Sequence, residues 1–344
     1  MRNYLALCRE TLETGRREPT RTGIDTLSNF GRMLSFDMRV GFPLVTSRRT
    51  GLYDAGKELF MFLNGITSAE WLKQQGCNIW NEWAYTGNDE SIPQGELGPI
   101  YGRMWRAWPT ADGKYIDQFA EIDQKIAKHS TSRRMLATAW NVDYLPDESA
   151  PHNTNIENGK QVLPPCHTFF QVRVNPMTIS EIYKENDISR SMVTAIENEI
   201  IDRQLPVDQQ RQFVIDSLNG FAKDGNMKTS YMSLLMYARS QDLPLGTPYN
   251  IASYGLLLEL WAAKHNMQAL NLIVMMGDVH IYEDQIETMR EQLTREPRKL
   301  PKLKLNPEYK DFLNLDITKI KIQDVYSLVD YDPHPPLKYP SPAV

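Results

Sequence analysis

The chain has 344 residues, of which 41% are hydrophobic and 24% charged, with a formal net charge of −5. That is the composition of a globular protein able to bury a sizeable core in one large domain or two ordinary ones, not of a disordered or fibrous chain. The negative balance argues against a protein whose main business is holding a polyanion, so no stable nucleic-acid partner is expected, although a local group of arginines can still bind one small phosphate.

Tyr4, Leu5, Leu7, Cys8 and Leu12 recur at helical spacing and stop at Gly15, which predicts an N-terminal amphipathic helix with Cys8 in the core. Residues 26–40 alternate apolar and polar around Gly31, as a strand pair would, and 42–46 form a short extended run. Glu58 falls inside an apolar helical segment at 55–63, where a carboxylate is costly to bury unless it is hydrogen-bonded or useful. Residues 118–128 are expected to be helical and 134–141 a strand. A further strand at 169–174 puts Cys166 at its entrance, in the run Leu163-Pro164-Pro165-Cys166-His167.

From about 176 to 227 the chain changes character. Met192, Val193, Ile196 and Ile200 make one helical stripe and Phe213, Val214 and Leu218 another, amid many Glu, Asp and Gln, which reads as a helical insertion into a sheet-based fold. The strand pattern resumes at 231–237, followed by a strongly apolar helix at 251–265 that should be the central one. An apolar run at 270–276 leads into Gly277-Asp278-Val279-His280-Ile281-Tyr282, and the proline-rich stretch 331–336 should lie on the surface or cap a site. A single catalytic domain over 1–344 is expected.

The three cysteines, Cys8, Cys77 and Cys166, form no C-x-x-C pair, so neither a disulfide framework nor a zinc site is indicated, and a cytoplasmic location fits best. The first ten residues carry charges through what would have to be an apolar signal core, and no run of about 18 uncharged apolar residues occurs. Neither export nor a membrane span is expected.

Cys166, in a proline-flanked turn with arginine, carboxylate and amide groups supplied from elsewhere, is a candidate thiolate nucleophile. Arg21, Arg133, Arg134 and Arg239 can each offer phosphate a planar fork of donors, and an arginine near a thiol lowers its pKa. Asn250 follows a glycine-and-proline turn and precedes the apolar helix, so it reads either as a helix cap or as a carboxamide that recognises an amide-like ring edge. His280 and Tyr282, two apart, point to the same side and can hold a sugar hydroxyl.

These segments, with Arg21-Thr22-Gly23, Ile79-Trp80-Asn81-Glu82-Trp83, Leu97-Gly98-Pro99-Ile100-Tyr101-Gly102, Ala139-Trp140-Asn141, Arg239-Ser240-Gln241-Asp242, Pro248-Tyr249-Asn250-Ile251-Ala252-Ser253-Tyr254 and Tyr331-Asp332-Pro333-His334-Pro335, resemble the folate-dependent thymidylate synthase family in order over nearly the whole chain. The resemblance implies an α/β (α+β) fold with a large twisted mixed sheet, helices on one face, and a homodimer made through the other. It implies that Cys166 adds to C6 of dUMP, making C5 a nucleophile toward the methylene carbon of 5,10-methylenetetrahydrofolate, which is also the reductant. No metal is implied.

In the same terms Glu58 moves protons at uracil O4 through water, Tyr101 and His167 line the site, and Asn250 and Asp242 complete the catalytic set. Arg21, Arg239 and Ser240 bind the phosphate together with Arg133 and Arg134 of the partner subunit. Asn250 reads the uracil N3–H and O4, and His280 and Tyr282 hold the 3′-hydroxyl. Asp242 binds the pterin, walled by Ile79, Trp80, Trp83, Leu163, Gly246 and Tyr249 and closed by the tail ending at Val344. Family members usually carry lysine and histidine where this chain has Arg48 and Gly51, aspartate at Asn81, glutamine at Ala238 and tryptophan at Met61. Two other outcomes share the scaffold. One is a hydroxymethylase that adds water instead of hydride and releases 5-hydroxymethyl-dUMP and tetrahydrofolate. The other is a non-catalytic nucleotide- or RNA-binding protein, against which the intact Cys166, Glu58, Arg239 and Asn250 weigh.

Overall fold

A computed structural model describes residues 1–21, 23–128, 131–219 and 227–340. Six strands form one mixed sheet in the spatial order Arg16–Glu18, Thr26–Asp37, Gln268–Tyr282, Ser230–Asp242, His167–Pro176 and Leu136–Thr138. All neighbours are antiparallel except Ser230–Asp242 and Gln268–Tyr282. Parallel neighbours need a crossover, and the helix Gly246–Lys264 supplies it. Its Leu256, Leu257, Leu258, Leu260 and Trp261 are all buried, so it is a core helix and not an amphipathic cover. The helix Arg2–Thr14 buries Tyr4, Leu5, Leu7 and Cys8 in the same core, as the spacing requires.

The other face of the sheet is open. Met33 pairs with Met275 across adjacent strands and both are exposed, as is Leu136 at the edge, with the stacked rings of Phe169 and Tyr237 between them.

Residues 26–40 are not a strand pair. Gly31 takes φ +73°, but Phe30 and Arg32 on either side stay in register with Asp278 and Met276, so one strand Thr26–Asp37 passes through it. The expected strand 134–141 shortens to Leu136–Thr138, because the Asn141 side chain accepts from the Asp143 N–H and starts a turn. The central helix starts at Gly246, five residues before the apolar run; Pro248 fits its first turn, where a missing N–H is harmless.

Between the strands His167–Pro176 and Ser230–Asp242 stand the helices Ile179–Glu185, Arg190–Asp202 and Val207–Asn219. They share a small core of their own, with Ile182, Ile196, Val214 and Leu218 buried against Met177, Met227 and Tyr231.

Candidate functional site

Cys166 lies immediately before the strand His167–Pro176 and is pinned from both sides. Its N–H donates to the Tyr101 hydroxyl at 2.8 Å, and its carbonyl accepts from the Arg239 N–H at 2.8 Å. The Arg239 guanidinium donates to the carbonyls of Pro164 and Pro165, each at 2.9 Å, so one side chain fixes the whole turn. The neighbouring strand comes close: a Cβ on Gly277 would stand 2.8 Å from the Arg239 carbonyl oxygen, which explains a glycine there.

Burial pushes the Cys166 thiol above its ordinary value; the Arg239 charge pulls it down, and Asp242 and Glu58 add to the rise. Arg239 acts in the expected direction, but the desolvation of a half-buried sulfur beside two carboxyl groups outweighs it.

Tyr101 and His167 stack with ring centroids 4.0 Å apart, and His167 Nδ1 lies 2.8 Å from the Tyr254 hydroxyl. Burial lowers the His167 pKa to about 3, so it is a neutral hydrogen-bonding group and not a cation. Glu58, on the helix Leu52–Leu63, is raised to about 7 by burial, against the opposing pull of the Trp80 indole N–H that donates to it at 2.8 Å. A carboxyl poised there exchanges protons at neutral pH. Beside it is a cavity of about 10 Å³ reached by Glu58, His167, Asn250 and Tyr254, about the room one water needs.

Asn250 is not a helix cap: it lies inside Gly246–Lys264, and its Nδ2 donates to the buried Oε1 of Gln241 at 3.3 Å. Asp242 closes the adjoining strand; its carboxylate accepts from the Leu245 N–H at 2.9 Å and from Gln285 Nε2 at 3.1 Å, and burial raises its pKa. Ser240 stands in the same strand opposite Asp278. His280 and Tyr282 do share a side, their rings edge-on at 5.1 Å, with His280 Nδ1 2.5 Å from Asp278. Burial raises Tyr282, and the Arg21 charge pulls it back, so the exposed Arg21 is within electrostatic reach of this pair.

Ile79, Trp83, Leu163 and Tyr249 are partly buried against the core and Trp80 is almost fully so, with Trp80 and Trp83 edge-on at 5.8 Å. Gly246 opens the helix beside Asp242. A Cβ on Gly51 would already lie 3.4 Å from the Tyr249 hydroxyl. Arg48 is buried, donates to Gln292 at 3.2 Å and to the Pro244 carbonyl, and stacks on Tyr339 at 5.1 Å. The tail is strapped over residues 45–50: Tyr331 donates to the Val45 carbonyl at 2.8 Å, and the His334 N–H to the Thr46 carbonyl at 2.9 Å. Val344, with residues 341–343, lies outside the described residues.

Arg133 and Arg134 are exposed and are not brought to the Cys166 of their own chain. The Arg133 carbonyl accepts from the Gln171 side chain at 2.8 Å. Gln171 is five strand positions from Cys166, about 16 Å at the usual rise. Sequence reasoning gave no role to Gln241 or Tyr254. Tyr254 is one helical turn beyond Asn250, a spacing that could have placed both on one face, whereas nothing local marks Gln241 as buried.

Among the described residues no group of three or more His, Cys, Asp or Glu is placed to hold a metal, and no helix is long and apolar enough to cross a membrane. A family model described as thymidylate synthase matches residues 2–343.

Proposed function

The chain belongs to the thymidylate synthase family, folate-dependent enzymes that transfer a one-carbon unit to dUMP from methylenetetrahydrofolate, and within it we propose that this one makes dTMP and dihydrofolate. Cys166 bonds to uracil C6, so that C5 takes the one-carbon unit; the C5 proton then leaves, the folate departs, and its hydride completes the methyl group as the thiolate is released. Tyr101 and Arg239 hold the Cys166 turn, and Glu58 relays protons through the adjacent water-sized cavity. Asn250 reads the uracil edge, while Arg239, Arg21 and Ser240 take the phosphate and His280 and Tyr282 the sugar.

The observation that carries methylation over hydroxymethylation is the aromatic wall beside Glu58. Trp80 is bonded to Glu58, edge-on to Trp83, and almost fully buried. Such a wall keeps water from the exocyclic methylene until hydride arrives. Smaller or neutral groups at Gly51, Ala238 and Asn81 would favour the hydroxymethylase by admitting an ordered water, but their surroundings limit that room. The space at Gly51 is bounded by Tyr249, Ala238 is buried in the sheet opposite His167, and the Asn81 side chain donates to Asn78 at the surface. Mass spectrometry of the nucleotide product, with dihydrofolate followed by its near-ultraviolet absorbance, tests this. Accumulation of 5-hydroxymethyl-dUMP with tetrahydrofolate replaces the methylation reading by the hydroxymethylase one.

The open sheet face carrying Met33, Leu136 and Met275 suits a second copy, and a homodimer would bring Arg133 and Arg134 of one subunit to the phosphate of the other.

A further inference from the structure

His167 adjoins Cys166, and a neutral imidazole has two forms, with its proton on Nδ1 or on Nε2. Which form is present decides whether the ring gives or takes a hydrogen bond at its free edge. The plane of the ring is fixed by its neighbours: Tyr101 stacks on it with centroids 4.0 Å apart, and Tyr254 stands edge-on at 5.4 Å. Nδ1 is 2.8 Å from the Tyr254 hydroxyl. Nε2 bonds to no other described residue, and the ring borders the cavity shared with Glu58.

We propose that Tyr254 is a positioning residue: its hydroxyl donates to His167 Nδ1, which commits the imidazole proton to Nε2 and makes His167 a hydrogen-bond donor toward the cavity. Tyr254 is buried, and among the described residues its hydroxyl meets no acceptor other than His167. A bare imidazole nitrogen accepts well and a phenol oxygen poorly, so the opposite arrangement would bury the phenol proton unpaired. Burial holds the Tyr254 phenol well above its ordinary pKa, so the proton is there to give. It also lowers the His167 pKa to about 3, so the ring stays neutral and the choice of nitrogen persists through the neutral range. Packing of the Tyr254 ring on Trp105 and Phe170 sets where the hydroxyl lies.

The consequence falls on the water-sized cavity beside Glu58. A water there accepts from the Nε2–H of His167, which leaves its own two protons for Glu58 and the uracil oxygen. With Nε2 bare, the ring would compete for one of those protons and turn the water away from the relay. This role rests on the proposed reading of Glu58 as a proton relay through that cavity.

The test uses the full chain labelled with nitrogen-15 histidine; six histidines are present, and His167→Gln assigns the signal. The ligand-free parent should show the His167 proton on Nε2. Tyr254→Phe, which loses only the hydroxyl, should move both ring nitrogens toward averaged values. In steady state the same variant should lose about tenfold in kcat while its KM for dUMP stays within about twofold. A packing defect alone would lower the melting temperature without moving the ring nitrogens. In a Glu58→Gln background Tyr254→Phe should cost less than about twofold, since both act on one water. A proton on Nδ1 in the parent, unmoved nitrogens in Tyr254→Phe, an unchanged kcat, or the full tenfold cost in the Glu58→Gln background overturns the proposal. A Glu58→Gln chain that turns over as fast as the parent sinks the relay reading itself, and the role of Tyr254 falls with it. The two failures are told apart because the nitrogen spectra of the ligand-free chain do not depend on the relay.

Discussion

Asn250 and Gln241 are bonded through their side-chain amides, Asn250 Nδ2 donating to Gln241 Oε1 at 3.3 Å, and Gln241 is buried to 1% exposure. An asparagine amide is chemically free to flip, so a buried acceptor beside it decides which edge it shows a ligand. With Nδ2 turned to Gln241, Asn250 Oδ1 is left to accept the N3–H of uracil, a proton that cytosine lacks. Gln241→Ala should therefore lower the ratio of kcat/KM for dUMP over dCMP by roughly tenfold, the worth of one misplaced hydrogen bond. An equal fall for both nucleotides would reduce Gln241 to a packing residue.

Cys166→Ser should abolish turnover while leaving dUMP affinity within about tenfold, since the phosphate and base contacts remain. Near-normal turnover in that variant removes the thiolate mechanism.

The thiol is raised by burial and lowered by Arg239. Removing the charge must move alkylation of Cys166 to higher pH. Because Arg239 also bonds to Pro164 and Pro165, two variants are needed: Arg239→Ala loses charge and bonds, and Arg239→Lys retains the charge. The alkylation profile of Arg239→Ala should shift upward and that of Arg239→Lys clearly less; equal shifts would show that turn geometry, not charge, governs the thiol.

Glu58 titrates near 7 in the fold against an ordinary 4.5, because burial favours its neutral form. Between those values the folded chain binds more protons than the unfolded one, so stability falls as pH rises through the window and then levels off. Glu58→Gln should be more stable than the parent above neutrality, by on the order of 3 kcal/mol, with the gain gone near the unfolded value. In the parent, kcat/KM should carry a titration limb near 7 that the variant lacks. Parallel stability curves for the two proteins across this range would contradict the raised carboxyl.

How far the sequence revealed this arrangement depended on whether a residue's meaning was local. Cys8, Glu58 and the central helix were legible because their apolar surroundings repeat at the helical period. The order of motifs placed Cys166, Tyr101 and Arg239 in one site. Gly31 misled, since a glycine inside an alternating run reads as a turn until its strand partners on both sides are known. The net rise of the Cys166 pKa was hidden for a similar reason: the arginine was visible, but the desolvation imposed by distant segments was not. Gln241 gained a role only once Asn250 folded over it.

The last prediction concerns the separation of Cys166 from Arg133 within one chain. If Arg133 and Arg134 act on the partner's phosphate, a dimer of one Cys166→Ser chain and one Arg133→Ala/Arg134→Ala chain contains one doubly damaged site and one intact site. Neither parent variant should turn over dUMP efficiently, the first for lack of a nucleophile and the second for a raised KM. Mixing equal amounts under conditions that exchange subunits should restore about a quarter of the normal rate at limiting dUMP, because half of randomly formed dimers are mixed and each has one good site. Sedimentation of the parent chain at micromolar concentration should show a dimer throughout. A monomer, or a mixture no more active than the average of its parents, would refute shared sites and leave the exposed arginines without a part in nucleotide binding.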